Sequence, residues 1–252
     1  MTRIDVQDAH TARPSLKGKR VIISGGTTGI GRATAVLLAS EGAKVFICGR
    51  DEQHLADGLA RIRQVGEGDG IALDLAEKDG VKRFFDAGTA SLGGIDIAVI
   101  NAAIPAEGLS TMDANEVRYA VAVDFTAYIM SAHAAQERML EGDIILIGSM
   151  SAHTLGPNST VYAGIKAGIA GFAEALRREL GPKGIKVALV EPGKTGADFQ
   201  SPEFPPDEQA KLIEEQKMLR AEDIAVGVHY MLTQPPRTVV QQLVIVPRVQ
   251  DE

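Results

Sequence analysis

The sequence predicts an α/β protein whose core is one parallel sheet of seven strands with helices on both faces. Two observations predict this class: short apolar runs alternate with helical patterns from about residue 20 to the end of the chain, and no linker or internal repeat interrupts them. At 252 residues, the chain is long enough to bury the core of one domain. We therefore expect a single domain over residues 18–252, preceded by a loosely ordered N-terminal extension over residues 1–17.

The expected elements follow one another without long gaps. We predict strands at about 20–24, 43–48, 70–74, 95–100, 143–148, 185–190 and 239–246, and helices at about 29–41, 51–65, 76–91, 113–140, 160–181, 207–217 and 221–233. Several of the strands are continuous runs of apolar residues, such as Ile144 to Ile147. Such runs are typical of parallel strands because helices cover both of their faces.

The first strand runs into a glycine-rich turn, and a helical pattern follows directly. Its glycines have a G-x-x-x-G-x-G spacing. In a dinucleotide site, the first would permit the tight turn, the second the approach of the pyrophosphate, and the third close packing of helix on strand. The candidate phosphate-binding residues at this helix N-terminus are Gly25, Thr27, Thr28, Gly29, Ile30 and Gly31. A glycine-rich turn without a ligand is the structural alternative.

The second strand ends in Gly49 and Arg50, where the adenosine ribose of a dinucleotide would lie. The acidic residue that would bind a free 2′-hydroxyl is missing, because Gly49 occupies its place. The guanidinium of Arg50 is instead available for a 2′-phosphate. This pair predicts a preference for NADP(H), with NAD(H) as the second option. The alternative is that Arg50 is an ordinary solvated loop charge.

The third and fourth strands end in residues that would line the same cleft. Asp74, followed by Leu75, could accept a hydrogen bond from the adenine amino group, or it could cap a helix before Glu77. Asn101 and the small Ala102 follow the fourth strand. We expect these tips to surround the adenosine part of the cofactor.

The fifth strand and the helix after it carry the candidate catalytic residues. Ser149 stands at the carboxyl end of the apolar run, and Tyr162 and Lys166 follow in a Y-x-x-x-K spacing. Residues four apart lie on the same face of a helix, so the lysine charge would favour the phenolate form of the tyrosine. A tyrosine, whose pKa is ordinarily about 10, could then exchange a proton near neutral pH. By itself the spacing also fits a packed ring beside a solvated charge.

Five motifs stand in the order typical of the short-chain dehydrogenase/reductase family, which this chain therefore resembles over about residues 18–247. They are Gly25-x-x-x-Gly29-x-Gly31, Asn101-Ala102-Ala103, Ser149, Tyr162-x-x-x-Lys166 and Pro192-Gly193. The resemblance implies one doubly wound Rossmann domain that transfers hydride between NAD(P)H and a carbonyl or secondary alcohol. It also implies assembly into homodimers or homotetramers.

The resemblance further implies roles for individual residues. Tyr162 would be the general acid/base, and Ser149 would hold the substrate oxygen. Lys166 would bind the nicotinamide ribose and favour the charged form of Tyr162. The Pro192-Gly193 turn, together with Thr195, would hold the nicotinamide end of the cofactor.

One catalytic position departs from the family pattern: Asp124 stands where an asparagine is expected in the fourth long helix. Family members relay protons through a water held near that asparagine. An ionised carboxylate accepts hydrogen bonds but donates none. Near Lys166 it could hold the lysine charged and weaken the positive field at Tyr162. We therefore expect a higher pH optimum for oxidation than in an Asp124→Asn variant.

Composition limits the partners and the setting. A net charge of −7 without a basic run argues against nucleic acid, and no stretch is long enough to span a membrane. The single cysteine, Cys48, lies in a predicted buried strand, so no disulfide within the chain can form and we expect a cytoplasmic location. The histidines show no metal-ligand spacing, so we expect no catalytic metal.

The substrate is expected to be a small carbonyl or alcohol held by loops at about 104–109, 150–158 and 195–206. Phe199, Phe204 and three prolines in the last loop suggest a lid, although an ordinary surface crossing explains them equally well. His153 and Lys194 would favour an anionic substrate if they faced the pocket rather than solvent.

Two functions of different classes fit these residues. The first is an NADP(H)-dependent oxidoreductase in which Tyr162 is the general acid/base, and the intact Ser149, Tyr162 and Lys166 favour it. The second is a non-catalytic NADP(H)-binding sensor or scaffold. Asp124 favours it, and so does the end of the chain, where Pro247-Arg248-Val249-Gln250 stands in place of the glycine-rich tail that the resemblance implies. A sugar-nucleotide epimerase or dehydratase is disfavoured because no residues remain for an extra substrate domain.

Overall fold

In the computed structural model of the protein, which describes residues 14–196 and 205–249, a parallel sheet of seven strands forms the core. Its strands are β1 (Arg20–Ile23), β2 (Lys44–Gly49), β3 (Glu67–Ala72), β4 (Ile97–Ile100), β5 (Gly142–Ile147), β6 (Ile185–Pro192) and β9 (Gln242–Ile245). A separate parallel pair consists of β7 (Thr195–Gly196) and β8 (Leu219–Arg220). The fold class predicted from the sequence is confirmed.

The order of the strands in the main sheet is β3-β2-β1-β4-β5-β6-β9, and every neighbouring pair is parallel. The chain builds the sheet outward from β1 in one direction, then crosses to β4 and builds in the other. The reversal between β1 and β4 leaves a crevice at the carboxyl ends of the strands, where open α/β sheets bind ligands. Gly25 follows β1 and Asn101 follows β4, so both lie at this crevice.

Helices cover both faces of the sheet. They are α1 (Gly29–Ser40), α2 (Glu52–Arg63), α3 (Gly80–Leu92), α4 (Ala114–Val121), α5 (Ala127–Arg138), α6 (Thr160–Leu180), α7 (Pro206–Glu214) and α8 (Ala221–Leu232). One face packs against α3, α5 and α6, with Phe84 and Tyr128 fully buried there. The other face packs against α1, α2 and α8, with Leu38 and Val228 fully buried. This two-sided packing is the doubly wound arrangement.

The helix predicted at about 113–140 is interrupted in the structure. A π-helical turn, Ala122–Thr126, lies between α4 and α5, and Asp124 is within it. Hydrophobic periodicity does not distinguish such a turn from a continuous α-helix. Because π-helical turns occur frequently at functional sites, this one directs attention to Asp124.

The third strand and the helix after it are displaced from their predicted positions. The strand begins at Glu67 rather than at about residue 70, and α3 begins at Gly80 rather than at about residue 76. The first four residues of β3, Glu67-Gly68-Asp69-Gly70, contain no apolar run. Since β3 is an edge strand, where charged side chains are tolerated, its sequence gives little signal.

Two predicted segments lie largely outside the described residues: the lid at 195–206, with Phe199 and Phe204, and the extension at 1–17. Within the described ranges, no helix is long and apolar enough to cross a membrane. In the same ranges, no group of three or more His, Cys, Asp or Glu side chains is placed to hold a metal ion.

Candidate active site

The glycine turn after β1 brings the main chain of three elements into close contact. Gly25 has a φ of +64°, and a Cβ there would lie 2.7 Å from the Cα of Ala102. A Cβ on Gly31 would lie 2.1 Å from the carbonyl oxygen of Gly25. Thr28 precedes α1 in an extended conformation, and no acidic residue occupies the first turn of the helix. The N-terminal amides of α1 are therefore suited to an anionic group.

Asn101 connects this turn to the end of β4. Its amide nitrogen Nδ2 donates to the carbonyl oxygens of Ser24 (3.2 Å) and Gly25 (3.0 Å). The Oγ of Ser24 in return accepts from the backbone amides of Asn101 (2.9 Å) and Ala102 (3.1 Å). Asn101 and Ser24 therefore fix the crevice between β1 and β4.

A cleft of about 490 Å³ extends from the glycine turn along the tips of β2 and β3. Its lining includes most of the residues predicted for the adenosine half of a cofactor: Gly25, Thr27, Thr28, Gly29, Ile30, Arg50, Asp74, Leu75, Asn101 and Ala102. The fold thus brings these predicted residues from four segments to one cleft. Their role in binding stays a prediction.

Asp74 and Arg50 both bind a residue that the sequence did not indicate, Tyr119 of α4. Arg50 Nη1 donates to the Tyr119 hydroxyl at 2.7 Å, and that hydroxyl donates to Asp74 Oδ2 at 2.5 Å. The other oxygen of Asp74 accepts from the amide of Ala76 at 2.8 Å. The predicted alternative of a helix cap at Asp74 is replaced by this local turn, because α3 begins only at Gly80.

A second cleft of about 380 Å³ contains the candidate catalytic residues. Ser149, Tyr162 and Lys166 line it together with Pro192, Gly193 and Thr195. It shares Ile30, Asn101, Ala103 and Ile104 with the first cleft, so the two form one continuous groove. All predicted site residues except Asp124 and Gly31 therefore line this groove.

Lys166 is buried in the wall of the second cleft. Its Nζ is 3.3 Å from the carbonyl oxygen of Ile147 and 5.3 Å from the centre of the Tyr162 ring. The hydroxyl of buried Tyr128 donates to the same carbonyl at 3.0 Å. Burial by itself lowers the pKa of Lys166. The electrostatic interactions with Tyr128, Tyr162 and Asp124 raise it by more, so the pKa of Lys166 lies above its ordinary value. Burial also raises the pKa of Tyr128 to about 12, so its hydroxyl remains a donor.

Asp124 lies behind the cleft, fully buried in the π-helical turn. Its Oδ1 accepts from the amide of Ile104 at 2.8 Å, and its Oδ2 has no hydrogen-bond partner among the described residues. Burial raises the pKa of Asp124 to about 6. The charge of Lys166 and the hydrogen bond from the Ile104 amide both lower this pKa, but burial has the larger effect. Its carboxyl therefore keeps its proton to a higher pH than an ordinary aspartate does.

The turn after β6 is held by hydrogen bonds of Gly193 and Thr195, and a buried carboxylate precedes it. The amide of Gly193 donates to the carbonyl of Ile245 at 2.7 Å, and Thr195 Oγ1 donates to the carbonyl of Gly193 at 2.9 Å. Glu191, directly before Pro192, is buried and contacts His153 Nε2 with both oxygens at 3.0 Å. His153 lines neither of the two clefts, whereas Lys194 lines the second.

Comparison with known proteins agrees with this geometry. Residues 19–208 match the family model described as short chain dehydrogenase. The chain belongs to the short-chain dehydrogenase family. An uncharacterized oxidoreductase of Staphylococcus aureus (strain USA300) is 30% identical to it over 240 residues, which cover 92% of this chain and 98% of that protein.

Solved structures of dehydrogenases are similar over most of the chain. The short chain dehydrogenase from Burkholderia cenocepacia J2315 in complex with NADP has a TM-score of 0.83 and 29% identity, covering 92% of this chain and 98% of that one. A dehydrogenase/reductase from Sinorhizobium meliloti 1021 has a TM-score of 0.82 and 29% identity, covering 92% and 95%. This short-chain dehydrogenase is therefore an oxidoreductase with a Rossmann fold.

Gly31 provides a first test of the cofactor site in this short-chain dehydrogenase. A Gly31→Ala change must move main chain, because the atom in the way is the carbonyl oxygen of Gly25 rather than a flexible side chain. We expect the affinity for a nicotinamide dinucleotide to fall by more than about tenfold, or about 1.4 kcal/mol, as measured by fluorescence titration with NADPH and with NADH. Gly171→Ala on α6, where a Cβ meets nothing within 4 Å, is the control. Unchanged binding in the Gly31 variant would contradict the assignment of this turn.

Proposed function

We propose that the protein is an NADP(H)-dependent oxidoreductase that transfers hydride between nicotinamide and a carbonyl or secondary alcohol. One observation carries this proposal: Ser149, Tyr162 and Lys166 line a cleft that continues into the cleft of the glycine turn. A proton donor and an oxygen-binding hydroxyl then face the same groove as the dinucleotide site. We assign both sites to one domain over residues 18–252, which would act in the cytoplasm as a homodimer or homotetramer.

The residues at the glycine turn fit a dinucleotide. The turn leaves no space for a Cβ at Gly31, and α1 presents its N-terminal amides without a competing acidic side chain. When bound, the cofactor supplies or accepts the hydride. The protein has to orient the carbonyl, move one proton and keep the charges balanced.

Ser149 is placed to hold a substrate oxygen. Its Oγ accepts a hydrogen bond from the amide of Ser151 at 3.1 Å. A hydroxyl has one hydrogen and two lone pairs, so this contact leaves the hydrogen free to be donated. Ser149 would donate it to the oxygen of the carbonyl substrate.

Tyr162 would donate its phenolic proton to the same oxygen during reduction and remove it during oxidation. The Lys166 ammonium, 5.3 Å from the centre of the Tyr162 ring, would stabilise the negative charge left on the tyrosine oxygen. The contact of Lys166 with the Ile147 carbonyl keeps the ammonium beneath the ring. This division of roles needs no further acid or base in the cleft.

Arg50 and Gly49 support NADP(H) over NAD(H). Arg50 lines the adenosine end of the groove and can offer a guanidinium to a 2′-phosphate. A Cβ at Gly49 would lie 2.4 Å from Thr27 Oγ1, so an acidic side chain for a free 2′-hydroxyl does not fit without displacement. The similar Burkholderia cenocepacia protein was solved in complex with NADP, which also favours this choice.

The test measures binding of NADPH and NADH by fluorescence titration, with the native protein and with an Arg50→Ala variant. We expect NADPH to bind more tightly, and the variant to lose about tenfold or more in NADPH affinity, because a hydrogen bond to a charged group contributes about 1.5–3 kcal/mol. NADH affinity should change little. Arg178→Ala, an exposed arginine of α6 paired with Glu174, controls for the loss of one positive charge. A preference for NADH would contradict the proposal.

Catalysis is then tested with the preferred cofactor against ketones, diketones, sugars and 3-oxoacyl thioesters. Oxidation of NADPH in the presence of any of them supports the reductase.

Asp124 favours one other function, a non-catalytic NADP(H)-binding sensor or scaffold, because its buried carboxyl opposes the field of Lys166 at Tyr162. Tight NADPH binding without turnover of any compound would favour that function.

A further inference from the structure

Tyr119 joins the two residues that flank the adenosine end of the groove. Arg50 follows β2, Asp74 follows β3, and Tyr119 projects from α4, yet one hydroxyl contacts both side chains. Arg50 and Asp74 line the cleft, whereas Tyr119 does not. Tyr119 therefore supports the wall of the cleft from behind. In the sequence it lies 69 residues from Arg50 and 45 residues from Asp74.

The direction of the two hydrogen bonds is fixed by chemistry. A guanidinium can only donate, so the Tyr119 oxygen must accept from Arg50. Its single hydrogen is then left for the carboxylate of Asp74. Burial and, next, the bond to Asp74 raise the pKa of Tyr119, so the hydroxyl keeps this hydrogen. Asp74 itself is held by the amide of Ala76, so the chain of contacts ends on main chain.

Arg50 keeps most of its hydrogen-bonding capacity in this arrangement. Only its Nη1 bonds Tyr119, and its Cζ lies 5.8 Å from the centre of the Tyr119 ring, within the range of a cation–π contact. The remaining N–H groups of the guanidinium make no hydrogen bond to Tyr119 and stay available as donors to a phosphate. An exposed arginine side chain otherwise samples many rotamers, and holding it in one place reduces the entropy lost on binding.

We propose that Tyr119 is a positioning residue for the 2′-phosphate of NADP(H), which it serves by holding Arg50 beside the adenosine cleft. The proposal rests on the proposed cofactor preference and extends it to a residue on α4. Tyr119 acts on the 2′-phosphate through Arg50, and the Ala76 amide still holds Asp74 when the hydroxyl is removed, so the hydroxyl should matter chiefly for ligands that carry a 2′-phosphate. Removal of the hydroxyl should weaken the binding of those ligands and leave the binding of other ligands nearly unchanged.

The test uses two probes that differ only in the 2′-phosphate: adenosine 2′,5′-bisphosphate and 5′-AMP. Their affinities are measured by calorimetric titration for the native protein, Tyr119→Phe, Arg50→Ala and the double variant. Tyr230→Phe, at a half-exposed tyrosine of α8, is the matched control. Thermal unfolding of each variant checks that the fold is retained.

We expect Tyr119→Phe to weaken the binding of the bisphosphate about five- to tenfold and that of 5′-AMP less than about twofold, because Arg50, no longer held by Tyr119, loses more side-chain entropy when it binds the 2′-phosphate. In the Arg50→Ala background, Tyr119→Phe should have no further effect on the bisphosphate, because the two residues act together. Equal losses for both probes, no loss, or tighter binding of the bisphosphate would each overturn the role of Tyr119.

The same four proteins separate this inference from the cofactor preference on which it rests. If Arg50→Ala weakens the bisphosphate selectively but Tyr119→Phe does not, only the role of Tyr119 is wrong. If Arg50→Ala affects both probes equally, the assignment of the 2′-phosphate to Arg50 is wrong as well, and Tyr119 loses its proposed role with it.

Discussion

Tyr162→Phe is expected to lower kcat by a factor of about 10²–10⁴, the usual contribution of a general acid/base, while the affinity for NADPH changes less than about twofold. The substitution removes the phenolic oxygen and keeps the ring, which packs 5.3 Å from the Lys166 ammonium. The groove therefore keeps its shape and its charge, and only the proton transfer is lost. The measurement is steady-state oxidation of NADPH with the most active carbonyl compound, with single-turnover kinetics to isolate the chemical step.

Tyr230→Phe is the control for this prediction as well, because it makes the same chemical change at a half-exposed position on α8. Its kcat should equal that of the native protein. If Tyr162→Phe retains full kcat, Tyr162 is not the acid/base, and another proton donor must reach the substrate oxygen. If neither protein turns over any substrate, the sensor or scaffold function gains support.

Asp124→Asn is expected to alter the pH dependence of stability by about 3 kcal/mol. The pKa of Asp124 is about 6 in the folded protein, against an ordinary value of 3.8. Between these values the folded protein binds a proton that the unfolded chain has released, so the native protein loses stability as the pH rises from about 4 to about 6. At about 1.4 kcal/mol per pKa unit, the loss comes to about 3 kcal/mol. Asparagine does not titrate and should remove this slope.

The measurement is urea unfolding of both proteins at several pH values from 4 to 7.5. Asparagine can still accept the Ile104 amide, so the comparison isolates the charge of the buried carboxyl. The free energy of unfolding of the variant should rise relative to the native protein across this window. Asp57→Asn, at an exposed position of α2, should leave the native slope unchanged. Parallel curves for the native protein and Asp124→Asn would show that the buried carboxyl does not titrate there.

The same variant is expected to shift catalysis toward lower pH. Above about pH 6 the Asp124 carboxylate opposes the Lys166 field at Tyr162, and oxidation needs negative charge on that tyrosine. With asparagine this opposition disappears, so the pH optimum of alcohol oxidation should lie lower than in the native protein. The pH profiles of kcat for the two proteins decide the point, and identical profiles would contradict it.

Sequence reasoning was most successful where function depends on short-range spacing. The glycines of the turn, and the pair Tyr162 and Lys166, are recognisable because their geometry follows from positions a few residues apart. The ends of apolar strands were equally informative. Parallel strands bring their carboxyl ends to one edge, so Ser149, Asp74 and Asn101 could be expected at the same groove.

The contacts that the sequence could not indicate join elements far apart in the chain. Tyr119 lies 69 residues from Arg50, and Ser24 lies 77 residues from Asn101, so no local pattern relates them. Buried Glu191 was missed because a single acid at the end of an apolar strand has no periodic signature. The π-helical turn around Asp124 was missed because it leaves the apolar periodicity of the helix unchanged.

The carbonyl of Ile147, which contacts both Lys166 and Tyr128, has a consequence for how this site tolerates mutation. A main-chain acceptor is present whatever side chain occupies position 147. The position of the buried ammonium therefore depends on the main chain of β5. It does not depend on a partner side chain that a single mutation could remove. Neighbouring apolar side chains can therefore be substituted during evolution while Lys166 keeps its hydrogen bond to the Ile147 carbonyl.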